Sequence, residues 1–491
     1  MTDSVLWQAL LLVLDPYVLW VILGSAMFGL FVGAVPGLTA TMATALLVPV
    51  TFFMPPVPAI ASIVTATAMA IFAGDIPSCF LRMPGTPASA AYTDEAYAMT
   101  KKGQGEVALG AGLVFSVIGG LFGTAVLIVA APALAEIALK FSSFEYFWLV
   151  LLGLMSAIFL AHADPLKGIV SLLLGLLVAS VGLDNPAGFP RFTFGNAELA
   201  GGLTLIPIMI GMFAVSEILR SVAAIDQPWE MAQAQIGNVF RGMWTLTKRY
   251  PLQILRGSAL GTAIGALPGA GADIAAWMSY AMSKKFSRER EKFGTGHVEG
   301  IIEAGASNNS ALAGAWIPAL VFGIPGDSIT AIVIGVLYIK GLNPGPTIFM
   351  NNAVSLYAIF IVFILANLLM LPLGIAAIKS AKQMLRAPRE LLLPVILLFC
   401  IVGSFAINNT VFGVLGYLME ENGFPVAPAI LGMVLGAMLE ENFISSMIKA
   451  DGSVVAFLER PIAGGLGALT LAVLSVPLVR ALMRPGSFPG K

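Results

Sequence analysis

No Asp, Glu, Lys, Arg or His occurs in residues 16–74, 107–135, 304–326, 341–378, 391–419 or 461–479 of this chain. Each run meets or nearly meets the ~20 apolar residues that an α-helix needs to cross ~30 Å of hydrocarbon. Lipid offers backbone N–H and C=O groups no partner, so a spanning element must satisfy its own hydrogen bonds, as helices and closed barrels do. The period-2 alternation of a membrane barrel is absent, which leaves helices. The expected fold is an all-α polytopic membrane protein with about 10–13 membrane elements, hairpins included. Composition agrees: 58% of the 491 residues are hydrophobic and 11% charged, against roughly 25% charged in a soluble domain.

The net charge of −1 and the pI near 6.2 favour neither nucleic acid nor a strongly anionic surface as partner. Cys79 and Cys400 lie in apolar surroundings, and His162 and His297 are far apart in sequence. Neither a disulfide framework, a metal cluster nor a cofactor is expected. The opening Met1-Thr2-Asp3-Ser4 has no basic n-region, and no small-residue cleavage site follows the first apolar run. Residue 17 onward therefore reads as a retained helix.

Many of the 52 glycines and 30 prolines fall inside the apolar runs. Such helices are broken at membrane depth, which is tolerated only where the freed backbone faces protein or a wet cavity. The breaks also repeat. Gly29-Leu30-Phe31-Val32-Gly33-Ala34-Val35-Pro36-Gly37 matches Gly261-Thr262-Ala263-Ile264-Gly265-Ala266-Leu267-Pro268-Gly269, and Met83-Pro84-Gly85-Thr86-Pro87 matches Ile324-Pro325-Gly326-Asp327-Ser328. Lys102-Gly103 and Lys340-Gly341 follow in the same order. A single GxxxG copy is explained by close helix packing alone; three motifs in one order predict two internal structural repeats, inverted or parallel.

The expected organisation is a first membrane repeat at 1–218, a polar linker at 219–256 and a second membrane repeat at 257–491. Arg241, Lys248, Arg249 and Arg256 on one side of residues 257–283, and Lys284, Lys285, Arg288, Arg290 and Lys292 on the other, place both flanks in the cytoplasm by the positive-inside rule. Residues 257–283 then enter and leave on one side, as a re-entrant hairpin with Pro268-Gly269-Ala270-Gly271 at its tip. Lys379, Lys382, Arg386 and Arg389 mark another cytoplasmic loop.

Small hydroxyl residues follow the breaks: Thr39, Thr41 and Thr44, then Thr86 and Ser89, then Ser328 and Thr330. Helix N-termini carry partial positive charge and free N–H groups, which hold an anion without burying Lys or Arg, so a carboxylate cargo is expected. The plain alternative is helix capping. Asn308-Asn309 sit in an uncharged run after Glu303; buried amides are costly unless used. Adjacent side chains on a helix point about 100° apart, so the pair is expected to coordinate substrate or a cation. Asn408-Asn409 reads as helix-end satisfaction, and His162-Ala163-Asp164-Pro165 as a solvated turn. Charges beside the breaks are Asp75, Arg82, Asp94, Asp273, Glu303 and Asp327. Asp327 and Asp75 are candidates for the coupling ion; alternatively Asp75 and Arg82 neutralise each other. The candidate substrate site combines Pro36, Gly37, Leu38, Thr39, Pro84, Gly85 and Thr86 with Asn308, Asn309, Pro325, Gly326 and Ser328, Pro268 and Gly269 forming the matching break.

Over most of residues 20–440 the chain resembles the large membrane subunit of the tripartite tricarboxylate transporter family. The likeness rests on Gly33-Ala34-Val35-Pro36-Gly37-Leu38, Leu46-Leu47-Val48-Pro49-Val50-Thr51-Phe52 and Pro84-Gly85-Thr86-Pro87-Ala88-Ser89-Ala90-Ala91 in the first half. In the second half it rests on Pro268-Gly269-Ala270-Gly271, Glu303 through Asn308-Asn309-Ser310-Ala311, Gly323-Ile324-Pro325-Gly326 and Gly341-Leu342-Asn343-Pro344-Gly345-Pro346. The resemblance implies a multi-pass protein of the bacterial inner membrane beside a small four-helix membrane subunit. A periplasmic solute-binding protein delivers the organic acid, and uptake is driven by H+ or Na+. A homodimer of the membrane complex is an allowed assembly. No GxxxxGK[ST] loop for ATP is present. Two departures, Gly74-Asp75-Ile76-Pro77-Ser78-Cys79 for a Gly-Gly-Ser type stretch and Asp94-Glu95-Ala96-Tyr97 for Asp-Gly-Tyr, mean that the acid need not be citrate.

Three other readings compete with this one, the weakest being a structural scaffold, which does not need repeated polar breaks at membrane depth. A stand-alone carboxylate symporter differs only in lacking the binding protein. An intramembrane aspartyl protease would pair Asp75, Asp273 or Asp327 as acid and base, but the GxGD and YD strings it uses do not occur. The chain is thus expected not to be an enzyme.

Overall fold

The computed structural model describes residues 2–36, 38–160, 165–183, 189–203, 205–223, 237–385, 394, 397, 398 and 412–482. Gly37, His162 through Asp164, Cys400, Asn408, Asn409, Arg386, Arg389 and linker residues 224–236 lie outside them. Among the described residues the only strand-like feature is a single bridge, Gly182 with Arg191.

Helix boundaries follow local chemistry. After α1 (Thr2–Val13), the Asp15 carboxylate accepts the Tyr17 amide at 2.8 Å and Pro16 fills the first turn of α2 (Pro16–Ala34), where a missing N–H costs nothing. Val35 turns extended ahead of Pro36, as a residue before proline must, and ends α2. The Thr39 hydroxyl then accepts the Met42 amide at 3.1 Å to start α3 (Ala40–Thr51). α4 (Pro56–Ala73) and α5 (Asp75–Leu81) continue one another through Gly74. The chain proceeds through α6 (Thr93–Lys101), α7 (Gly105–Ala138), α8 (Ser143–Leu160) and α9 (Pro165–Ala179). α10 (Pro251–Gly265), α11 (Gly271–Phe286), α12 (Val298–Phe322) and α13 (Ser328–Ile339) follow, then α14 (Ala353–Met384), α15 (Val426–Lys449) and α16 (Pro461–Leu482). Among the described residues, α2, joined α4–α5, α7, α14 and α15 are each long and apolar enough to cross a membrane.

Register fixes how these helices run. A Cβ at Gly29 would meet Ala66 O at 2.2 Å, and one at Gly33 would meet Ala70 O at 2.3 Å. Four residues along α2 match four along α4, so the two are parallel and α3 between them runs back: α2 and α3 are a hairpin. Gly261 lies against Ser307 and Gly265 against Ala311 in the same way, so α10 and α12 are parallel and α11 returns. The hairpin expected at 257–283 is α10–α11. The end of the expected linker is helical, at Met243–Arg249 and in the first turns of α10. α7 runs parallel to α12, with Gly119 on Ala306 and Gly123 on Ser310, and antiparallel to α14, with Gly120 on Asn367 and Leu113 on Gly374.

The chain divides into two compact units, residues 1–136 with 204–422 and residues 137–203 with 423–491, so each sequence half contributes to both. The second unit packs α8, α9, α15 and α16. Phe144, Phe147, Trp148, Phe443 and Phe457 form its aromatic centre, and the Trp148 indole N–H donates to Phe457 O at 2.8 Å. Arg460 reaches the buried Glu145 at 2.9 Å.

Candidate functional site

Everything in this site belongs to the first unit. The proline-glycine loop after α5 is held by a reciprocal cap: the Ser89 amide donates to Thr86 Oγ1 at 3.2 Å and the Thr86 amide to Ser89 Oγ at 3.1 Å. The loop after α12 is held likewise, Thr330 N–H donating to Asp327 Oδ1 at 2.7 Å and Asp327 N–H to Thr330 Oγ1 at 2.9 Å. Helix capping therefore accounts for Thr39, Asp327 and Thr330, and a reciprocal turn of the same pattern for Thr86 and Ser89. Both preceding helices end in a left-handed residue, Arg82 (φ 56°) and Gly323 (φ 68°), and each turn closes on a proline carbonyl, Met83 N–H to Pro77 O and Ile324 N–H to Pro318 O. Gly85 then lies against Gly33 O and Gly74, and Gly326 against Gly265 O and Ala315. In both places a side chain would strike backbone.

Contacts between the two halves cross over. Thr41 Oγ1 is 3.2 Å from Ser328 Oγ, and the Asp273 carboxylate faces the Ala88 amide. Lys102 Nζ donates to Thr295 O at 2.6 Å, beyond the α10–α11 hairpin, while Lys340 Nζ donates to Phe52 O and Met54 O at 3.1 and 2.8 Å, beyond the α2–α3 hairpin. The two Lys-Gly motifs thus clamp each other's hairpins. Of the candidate residues, Pro36, Leu38 and Thr39 stand at the first tip, Gly85 lies on Gly33, Thr86 on Gly74, Gly326 on Gly265, and Ser328 on Thr41, with Pro84 and Pro325 one residue before the two packed glycines. Pro268 and Gly269 (φ 81°) form the second tip, with Gly271 against Asp327.

The amide pair is buried, Asn308 at 1% and Asn309 at 2% exposure. Asn309 Nδ2 reaches Met370 Sδ at 3.5 Å, and neither Oδ1 has a donor among the described residues. Asn308 neighbours the Tyr92 hydroxyl, which donates to Asp75 Oδ1 at 2.6 Å. A third buried amide, Asn367, donates to Phe363 O at 2.8 Å, and its Oδ1 has no donor among the described residues. Tyr92 and Asn367 are absent from the sequence reading. Asn367 was visible as a polar residue in an uncharged run; Tyr92 carried no comparable signal.

Two carboxylates found unexpected partners. Asp75 does not neutralise Arg82: the left-handed turn swings Arg82 out to Asp94 at 2.8 Å, both side chains 63% exposed. Glu303, fully buried, takes a two-pronged bond from Arg256 at 2.5 and 2.6 Å. Glu95, also buried, accepts the amides of Gly294, Gly296 and His297 and the Tyr280 hydroxyl, fastening the loop that leads into α12.

Comparison with known proteins identifies relatives over nearly the whole chain. An uncharacterised 52.8 kDa protein of the TAR-I ttuC' 3' region of Agrobacterium vitis is 33% identical over 473 residues, 95% of this chain and 94% of that protein. A second protein of that organism, from the TAR-II ttuC' 3' region, is 33% identical over 232 residues, 45% of this chain and 96% of its own length. No solved structure matches significantly. The family model of the tripartite tricarboxylate transporter TctA family matches residues 18–431, and the chain belongs to that family.

Proposed function

We propose that this subunit carries an organic di- or tricarboxylate across the bacterial inner membrane, driven by an H+ or Na+ gradient. A periplasmic solute-binding protein delivers the acid, and a small four-helix membrane subunit completes the complex. The observation that carries the reading is the crossed meeting of two helix breaks in one unit, Thr41 on Ser328 and Asp273 on the Ala88 amide. Amides and hydroxyls there can replace part of the hydration of a carboxylate, yet weakly enough to release it.

We further read the chain as two inverted repeats. In support, α2–α4 and α10–α12 share one register, the two proline-glycine loops share one cap, and α7 and α14, which follow the matching Lys-Gly motifs, run antiparallel. In this reading Asn308 and Asn309 with Pro325 through Ser328 form one wall of the substrate site, and Pro36 through Thr39 with Pro84 through Thr86 the other.

The test is uptake of labelled citrate, succinate and malate by cells expressing the whole complex. Accumulation that needs this subunit and the binding protein is the expected outcome. Uptake without the binding protein would favour a stand-alone symporter, and no uptake of any carboxylate would refute the reading.

A further inference from the structure

Among the described residues of the first unit, acidic side chains in the interior meet hydrogen-bond donors or an arginine. Asp327 caps α13, Asp273 faces an amide, Glu303 is held by Arg256, and Glu95 takes backbone and tyrosine hydrogen bonds. Asp75 departs from this: it is 3% exposed, its Oδ1 accepts Tyr92, and its Oδ2 has no partner among the described residues. The nearby hydroxyls are engaged elsewhere, Ser78 donating to Gly74 O at 3.1 Å and Thr93 to Ser78 Oγ at 3.0 Å and Ser89 O at 2.8 Å. The titratable groups beside it, Tyr92 and Cys79, bring no positive charge. Arg82 and Asp94 are tied to each other, and Glu106 of α7 accepts the Gly237 amide.

A carboxylate so placed is costly while ionised, because it has neither counter-charge nor a full set of donors, and a bound proton removes the charge. A metal cation needs several oxygen ligands and room for itself. Among the described residues no three His, Cys, Asp or Glu side chains gather to hold a metal ion, and Gly112 of α7 packs its backbone so near Oδ2 that a Cβ there would sit 2.5 Å away. We propose that Asp75 Oδ2 is a proton-binding site and that the ion coupled to transport is H+. This rests on the transport reading above and chooses between its two ions.

The surroundings tie that proton to the amide pair. The Tyr92 hydroxyl lies between Asp75 and Asn308. The hydroxyl donates to Asp75 Oδ1 at 2.6 Å and its oxygen faces the Asn308 amide, so a change of charge on Asp75 reaches the amide pair through one group. One residue earlier, Gly74 O accepts the Gly85 amide at 3.1 Å, so the same segment supports a proline-glycine loop.

Infrared difference spectroscopy of the purified protein in lipid nanodiscs reads protonated carboxyls without any substrate. The expected result is a protonated-carboxyl band at neutral pH that is lost in Asp75→Asn and shifted in Tyr92→Phe, a variant that keeps the ring. Bands unchanged in Asp75→Asn would overturn the proposal, as would binding of radiolabelled sodium that this substitution abolishes. In proteoliposomes holding the complex, wild-type uptake of labelled citrate or succinate should rise several-fold with an inward proton gradient, and Asp75→Asn should lose that response. Uptake driven by sodium alone would also overturn it. If wild type moves no organic acid under any gradient, the transport reading fails while the infrared band still decides whether Asp75 holds a proton.

Discussion

Asn308 and Glu303 sit on the same helix, α12, and their burial has opposite consequences. Glu303 has Arg256, whose side chain is 21% exposed, so removing the arginine strands a charge in the interior. Arg256→Ala should cost about 3–5 kcal/mol. Melting of the detergent-purified protein should fall accordingly, and Arg256→Ala with Glu303→Gln should recover most of the loss. Asn308→Leu keeps a similar volume but removes one acceptor and two donors. It should abolish uptake of labelled carboxylate while membrane abundance stays near wild type; uptake at normal rate and half-saturation would make the amide structural. Asn308 and Asn309 stood out in the sequence because polar pairs in an uncharged run need partners. Which partners they have was not legible. Asp75 and Arg82, seven residues apart, share a helix face only if the helix continues, and it stops at Leu81.

Between helices, glycine sets how closely two backbones approach, and here it also reports direction. Gly33 and Gly265 face Ala70 O and Ala311 O so closely that a methyl group would sit 2.3 Å from each. Gly33→Ala and Gly265→Ala should therefore separate α2 from α4 and α10 from α12, lowering the yield of monodisperse protein in detergent. Gly24, also in α2, has nothing within 4 Å of its would-be Cβ. Gly24→Ala should hold the yield or raise stability by up to about 1 kcal/mol. Equal losses in all three would show that helix propensity, not contact, is being measured. The GxxxGxxPG pattern made these breaks legible in the sequence. Their packing surfaces were not, because Ala66, Ala70, Ser307 and Ala311 are small residues in runs full of small residues, distinguished only by where the chain returns.

At the scale of the molecule, antiparallel α7 and α14 decide which ends share a membrane face. α7 starts just after Lys102 and α14 follows Lys340, so antiparallel packing puts the two lysine clamps on opposite faces of the unit. Lys102 holds Thr295, in the basic loop with Arg288 and Arg290; Lys340 holds Phe52 and Met54. Basic residues in short loops stay in the cytoplasm, so the expected outcome is the Arg288 loop on that side and the Phe53 turn on the opposite one. The charges of the first loop are legible in the sequence, whereas Phe52-Phe53-Met54 carries none and is placed by its contact with Lys340. In a background where Cys79 and Cys400 are replaced by Ser, Phe53→Cys should react with a membrane-impermeant maleimide added to intact spheroplasts, because Phe53 is 90% exposed. Arg288→Cys should react only in inverted vesicles. Labelling of both from the same side would place the two hairpins on one face and rule out inverted repeats, whatever the substrate proves to be.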